Sequence, residues 1–352
     1  MTNPDRKRFD CWTRAIGGAV GVCILTLFAG CDHLRPQPDA AASRPRLMWP
    51  APPERERIEL VQIFRAPSEL GIRRSFWRRL GGLITGGRES HLVRPAGVAA
   101  AGNLIAVADT GGGILDLYDL ERHRFRAVSA CGNAELREPV AAAFLNDRLY
   151  VADAGTARIE IFDREGECAG GWQLDEGSRP AGLVADSTRG RLYVADPGAH
   201  QVLVFDATGA VTARIGHRGT GPGEFNYPGW LALDARGRLY VTDALNFRIQ
   251  IFEPDGTLIS TFGHLGDGTG DFARPKGVGI DRDGHVYVVD ALFDAVQIFD
   301  AHGSYLLGFG QHGTREGQFW LPSGLTIDGD RIYVVDSYNQ RVQVFRYLGG
   351  SE

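Results

Sequence analysis

Between residues 95 and 347 apolar and polar residues alternate in short runs, and the runs recur as a unit. Its clearest copy is residues 322–345, PSGLTIDGDRIYVVDSYNQRVQVF. Six apolar runs end in aspartate: AVAD at Asp109, YVAD at Asp153 and Asp196, YVTD at Asp243, and YVVD at Asp290 and Asp336. The spacings of 44, 43, 47, 47 and 46 residues mark a propeller or solenoid array. Nine residues after each aspartate stands an aromatic, namely Tyr118, Phe162, Phe205, Phe252, Phe299 and Phe345. A proline opens each copy, at Pro95, Pro139, Pro180, Pro228, Pro275 and Pro322. Segments such as 238–242 and 248–252 carry the Val, Ile, Tyr and Phe content of strands and are separated by Gly, Asp and Asn turns. A turn such as Glu253-Pro254-Asp255-Gly256 or Asp300-Ala301-His302-Gly303 leads into a fourth strand, as over 304–310. Four strands in each of six copies predict an all-β, six-bladed β-propeller.

The copies 240–252 and 333–345, with Asn246 and Arg248 in one and Asn339 and Arg341 in the same places of the other, resemble the NHL family of propeller repeats. The likeness extends over about 95–347. Blades 1 and 5 lack the Asn and Arg and are expected to turn differently. The resemblance implies the fold and leaves the function open. After the third strand of the last copy only five residues remain, too few for a fourth strand. An open last blade would leave an unpaired edge, so the strand-like IELVQIF at 58–64 is expected to supply the missing strand and close the ring.

The segment between this strand and blade 1 has a different period. Ile72, Phe76, Leu80, Leu83 and Ile84 recur at helical spacing. Around them stand Arg73, Arg74, Trp77, Arg78 and Arg79, so the segment reads as a basic amphipathic helix. It would lie on an anionic membrane or a partner, or pack on the propeller. Its Gly81 and Gly82 favour packing.

The first residues read as an export signal: Arg6, Lys7, Arg8 and Arg14 precede an apolar run from 15 to 29. The stretch Leu27-Phe28-Ala29-Gly30-Cys31 resembles a bacterial lipobox, with Phe28 where Leu is usual. The resemblance implies a lipidated Cys31 and an extracytoplasmic, periplasmic domain, with Asp32 favouring the inner membrane. The domain plan is a signal peptide over 1–30, a proline-rich tether over 31–57, the closing strand and basic segment over 58–94, and the propeller over 95–352. Cys131 and Cys168 would remain in the exported domain. Placed at opposite ends of neighbouring outer strands, they are expected to be free thiols.

Composition sharpens the partner class. The net charge of −5 divides into +7 for residues 1–94 (16 Lys and Arg, 9 Asp and Glu) and −12 for the remainder (22 against 34). An acidic body argues against non-specific nucleic-acid binding. The 47 glycines suit a fold with many tight turns.

The repeated aspartates are candidate metal ligands, yet a residue present in every copy belongs to the construction of the unit. Each is expected to accept turn N–H groups and to pair with the Arg five residues on, as with Arg158, Arg248 and Arg341. The glycine-rich stretches 216–225, 263–272 and 310–319 lack the Lys-Ser/Thr of a phosphate loop and are expected to be connectors. Some six-bladed propellers are metal-dependent lactonases or amidating lyases with ligands on the inner strands. Here those strands open with Gly97-Val98, Val140-Ala141, Gly182-Leu183, Gly229-Trp230, Gly277-Val278 and Gly324-Leu325, without His or Glu. The histidines fall in the leader, in connectors (His217, His264, His312), in turns (His200, His302) and, at His285, in a strand. No cofactor or metal is therefore expected.

Before the opening prolines stand Arg94, Glu138, Arg179, Tyr227, Arg274 and Leu321. With Trp230 and Lys276 nearby, Arg94, Arg179, Arg274 and Tyr227 would form a basic, aromatic ligand face for an anionic ligand or acidic partner segment. The alternative is that each Arg pairs with a neighbouring Asp. The expectation is a monomeric, lipid-anchored binding platform for a protein or envelope ligand. The rivals are a metal-dependent hydrolase or lyase and an envelope sensor module.

Overall fold

The computed structural model describes residues 46–72 and 91–349. Cys31, the leader, most of the tether and the basic residues Arg73, Arg74, Phe76, Trp77, Arg78 and Arg79 lie outside them. Six antiparallel sheets follow the six copies, each strand hydrogen-bonded to its sequence neighbours. Blade 4 is representative, with strands Pro228–Leu233, Leu239–Asp243, Arg248–Phe252 and Leu258–Phe262 running from the centre outward. All six repeated aspartates end a second strand. The aromatics nine residues on are 0–2% exposed. They sit in the cores between blades, each contributing about 1.5–3 kcal/mol by burial.

The ring closes as the pattern predicts. Ile58–Phe64 pairs antiparallel with Arg341–Tyr347, from Ile58 opposite Tyr347 to Phe64 opposite Val342. Blade 6 also gains a fifth strand, because Met48–Trp49 pairs with Ile58 and Glu59. Trp49 packs against Phe309 and Phe345, with ring centroids 5.8 and 5.7 Å away. The proline-rich stretch read as tether thus contains ordered chain from Arg46 onward, held by the apolar surface of one indole. Helical structure among the described residues before blade 1 is a single short 3-10 turn, Pro67–Leu70. The helix expected beyond Ile72 falls outside them.

Cys131 and Cys168 form a disulfide, with Cα atoms 4.8 Å apart, which corrects the expectation of free thiols. That expectation placed Cys131 at the end of a fourth strand. The fourth strand of blade 1 in fact ends at Val128, and the connector folds into a hairpin of Ala130–Cys131 with Ala134–Glu135. The hairpin carries Cys131 against the outer strand of blade 2, Cys168–Gln173. Sequence periodicity is blind to such a non-repeated connector.

The alternation of strand directions puts the turns between strands 2 and 3 on the same side of the ring as the connectors between blades. On this connector face each repeated aspartate accepts N–H groups of the connector that precedes its own blade. The contacts are Val93 and Arg94 to Asp109 (2.6 and 2.8 Å), Arg137 and Glu138 to Asp153 (2.7 and 2.9 Å), and Arg179 to Asp196 (2.9 Å). Asn226 donates to Asp243 (2.6 Å), Ala273 and Arg274 to Asp290 (2.7 and 3.0 Å), and Trp320 to Asp336 (2.8 Å). Turn N–H groups, such as Gly111 and Gly155, add to them as expected. These buried carboxylates serve as structural anchors, although Oδ2 of Asp196 has no hydrogen-bond partner among the described residues.

Arg248 and Arg341 pair with Asp243 and Asp336 at 2.8 and 2.6 Å. Arg341 also donates to the connector carbonyls of Thr314, Arg315 and Gln318. Arg158 does not follow the pattern: its Nε binds Glu160 at 2.6 Å, a residue on the same face of the same strand and closer than Asp153. The glycine-rich stretches are connectors as read, each placing one fully buried phenylalanine, Phe225, Phe272 or Phe319, between blades.

Two outcomes follow for stability. Arg341→Ala leaves Asp336 buried without its guanidinium and is expected to cost about 3–5 kcal/mol in denaturant unfolding. Reduction of the disulfide, or Cys131→Ser, is expected to cost on the order of 2–4 kcal/mol, read as a lower melting temperature under reductant that the serine variant reproduces without it.

Candidate functional site

The inner strand of each blade has a partner on one side only, so its other backbone edge faces a central channel. The channel cavity measures about 220 Å³ and is lined by all six inner strands, with Val98, Ala99, Ala142, Ala185, Ala232 and Leu325 typical of its residues. No His, Asp or Glu lines it. Among the described residues no group of three or more His, Cys, Asp or Glu is placed to hold a metal ion. The residues present therefore do not fit the metal of a lactonase or amidating lyase. His285 lies just before the second strand of blade 5 and contacts Asp281 through Nδ1 at 2.8 Å. Asp281 also accepts from the Tyr287 hydroxyl at 3.1 Å. A second cavity of about 560 Å³ beside them is lined by residues including Arg57, Leu306 and Tyr347, and the titratable ring of His285 within it is already engaged by Asp281.

At the connector-face mouth of the channel neighbouring inner strands nearly touch. Gly182, Gly277 and Gly324 donate to Gly229, Ser323 and Ala96 of the next blade at 2.8–2.9 Å. A Cβ on Gly324 would stand 2.6 Å from the Ala96 carbonyl. Small side chains at the two positions after each opening proline satisfy this constraint. Ten of the twelve are Ala, Gly, Val or Ser: Ala96, Gly97, Val140, Ala141, Ala181, Gly182, Gly229, Gly277, Ser323 and Gly324. The two departures, Trp230 of blade 4 and Lys276 of blade 5, meet: Lys276 Nζ lies 6.0 Å from the centroid of the indole. Trp230 reaches on across the mouth, its Nε1 3.4 Å from where a Cβ on Gly324 of blade 6 would be.

Lys276 makes no ion pair with a carboxylate of the described residues. Desolvation first, and the positive charge of Arg274 second, lower its pKa to about 8. Its backbone carbonyl accepts from Thr242 Oγ1 at 2.7 Å, which fixes the strand beneath it.

The other residues of the expected ligand face divide. Arg179 is held by both oxygens of Glu138 at 2.8 Å, bridging blades 2 and 3 at the rim. Arg94 and Arg274 are exposed, and their backbone N–H groups serve Asp109 and Asp290. Tyr227 stands edge-on to His200, ring centroids 5.2 Å apart. Lys276, Trp230 and Arg274 therefore form the mouth, Arg179 belongs to a structural ion pair, and Tyr227 joins a second group that sequence reasoning missed.

That second group is an apolar arc. Tyr227, Leu245, Leu265, Leu292, Trp320 and Tyr338, 42–63% exposed, all lie on the connector face of blades 4 to 6. Among the described residues, blades 2 and 3 place no exposed large apolar side chain there. The cause is local. Two residues after the repeated aspartate, blades 1 to 3 carry Gly111, Gly155 and Gly198, where blades 4 to 6 carry Leu245, Leu292 and Tyr338. A Cβ on the three glycines would meet Arg94 Cβ at 2.7 Å, Arg137 Cβ at 2.8 Å and the Gly177 carbonyl at 2.5 Å. The connectors of blades 1 to 3 press on these turns, whereas the glycine-rich connectors of blades 4 to 6 leave room for large side chains. The repeat offset was the signal that could have shown this in the sequence.

Comparison with known proteins supports the fold. The NHL repeat model matches residues 319–345, and a six-bladed β-propeller family, DUF5128, matches 182–236 and 230–310. No characterised protein matches by sequence. Among solved structures, a protein of unknown function from Bacteroides thetaiotaomicron is similar at TM-score 0.57 and 19% identity, covering 72% of this chain and 70% of its own. Virginiamycin B lyase from Staphylococcus aureus gives 0.57 at 10% identity, covering 83% and 100%. A gluconolactonase from Xanthomonas campestris gives 0.55 at 18%, covering 72% and 86%. At these identities the likeness is one of fold.

The desolvated amine generates a stability prediction. A base whose native pKa lies below its unfolded value destabilises the fold while charged in the native state, and the penalty disappears as pH rises from about 8 to its unfolded pKa near 10.5. Lys276→Met is therefore expected to raise the melting temperature at pH 7, with the gain shrinking toward pH 10. A gain that does not vary with pH would contradict it.

Proposed function

We propose that this protein is a lipid-anchored, extracytoplasmic binding platform that engages an acidic segment of a partner protein on its connector face. The observation that carries the reading is the one-sided distribution of exposed Leu, Tyr and Trp on blades 4 to 6 around a mouth bearing Lys276 and Arg274. Contiguous apolar surface rimmed by polar groups marks interaction sites. Aromatic anchors beside a desolvated cation suit a partner combining apolar and acidic side chains.

Anchoring rests on the apolar leader and on Cys31 in its lipobox-like setting. Among the described residues no helix is long and apolar enough to cross a membrane. Lyase and lactonase propellers share the fold, but the channel lining here supplies none of the acid, base or metal-ligating side chains such chemistry would use.

The test is cross-linking in the native envelope followed by replacement of Leu245, Leu292 and Tyr338 by glutamate. These exposed side chains should tolerate the change with little loss of stability. The reading predicts that a partner is cross-linked through an acidic segment and that the triple variant loses it at least tenfold while keeping its melting temperature. Undiminished cross-linking by the folded variant would sink the reading.

A further inference from the structure

Beyond its contact with the Trp230 ring, Lys276 is not required by the scaffold. The equivalent position holds Ala96, Val140, Ala181, Gly229 and Ser323 in the other blades, and each of those blades forms its inner strand without an amine. Placing an amine there costs free energy, because water is partly removed and no carboxylate of the described residues replaces it. The charge that perturbs it is Arg274, of the same sign. Lost water and a like charge both disfavour the ammonium form, and a bound anion would offset both.

The surroundings restrict that anion. Trp230 offers an apolar face 6.0 Å from the amine and spans the mouth toward blade 6. Trp230 also lines the channel cavity of about 220 Å³, whose other walls are mainly alanines and branched aliphatics. A bulky or multiply charged group would lose its hydration in that space with a single amine to compensate. A short apolar stem carrying one charge fits both.

We propose that the mouth of the channel is a carboxylate-binding site, in which Lys276 receives the carboxylate of a ligand whose apolar stem lies along Trp230 into the channel. Arg274 supplies attraction from the rim. The site rests on the connector face being the binding face, and the carboxylate has two sources: a small free acid, or a terminal or side-chain carboxylate of the docked partner. Binding an anion restores the amine's preference for the proton. Affinity should therefore be full below pH 8 and fall as the free-state amine deprotonates above it.

The experiment titrates the purified protein with hexanoate, hexanol and hexylamine, read by calorimetry and by NMR shifts of the Trp230 indole N–H, at pH 6.5 and 9.5. Hexanoate is expected to bind at least tenfold tighter than hexanol at pH 6.5, and hexylamine not to bind. The hexanoate preference should shrink several-fold at pH 9.5 with proton uptake on binding. Lys276→Met, and as a second variant Lys276→Ser with the residue of blade 6, should abolish the preference, and Trp230→Ala should weaken both hexanoate and hexanol. Equal binding of hexanoate and hexanol, no binding of any probe, or unchanged hexanoate affinity in either folded Lys276 variant would each overturn the site. Competition separates the sources: hexanoate that, added beforehand, suppresses cross-linking of the partner identifies the partner's carboxylate as the ligand. Lys276-dependent binding that leaves the cross-linking yield unchanged identifies a free acid. The L245E/L292E/Y338E variant should retain hexanoate, so failure of the docking surface and failure of this site give different results.

Discussion

Each blade is held to the connector before it by one carboxylate. The aspartate ending a second strand accepts N–H groups some 15–17 residues upstream, just before the proline that opens the inner strand. That contact fixes where the inner strand starts, and hence how closely adjacent inner strands approach at the channel mouth. The small residues after the prolines and the backbone bonds between blades all presuppose it. Burial makes the constraint stringent: Asp153, Asp196, Asp243, Asp290 and Asp336 are fully buried, and an unpaired charge there would be severely destabilising. In blade 6 burial raises the Asp336 pKa, and hydrogen bonds from Trp320 N–H, Asn339 and Arg341 oppose that rise.

With the scaffold so constrained, variation is confined to the positions it does not use. Blades 1 to 3 route their connectors tightly over glycine turns. Blades 4 to 6 use glycine-rich connectors pinned by Gln250, Gln297 and Gln343, each of which accepts from one connector N–H and donates to a connector carbonyl. This different route frees the turn positions for Leu245, Leu292 and Tyr338. The ring thus has a close-fitted half and a half that displays side chains, and the displaying half contains Trp230 and Lys276. Structure and proposed function are linked by this difference in connector path.

Much of the fold was legible because it repeats. Strand ends, the aspartate–arginine pairs of blades 4 and 6 and the closing strand all follow from residues recurring at fixed offsets or from a strand left without a partner. The departures had local, non-periodic causes. Cys131 reached Cys168 through a hairpin in one connector, Arg158 found Glu160 two residues along its own strand, and Trp49 packed a proline-rich stretch onto blade 6 through one half-buried indole. The mouth was half legible: Trp230 and Lys276 stood out as residues, but their meeting depends on blades 4 and 5 being neighbours in the ring. The arginines before the prolines looked equivalent in sequence, yet Glu138 engages Arg179 alone among them.

The central claim is that partners engage the connector face of blades 4 to 6. Its most direct measurement is residue-specific photo-cross-linking in the native envelope, with the photoreactive side chain placed in turn at Leu292 on that face and at His302 on the opposite face. The account predicts a defined partner adduct from position 292 and none from 302. Adducts from 302 alone, or equally from both, would contradict it.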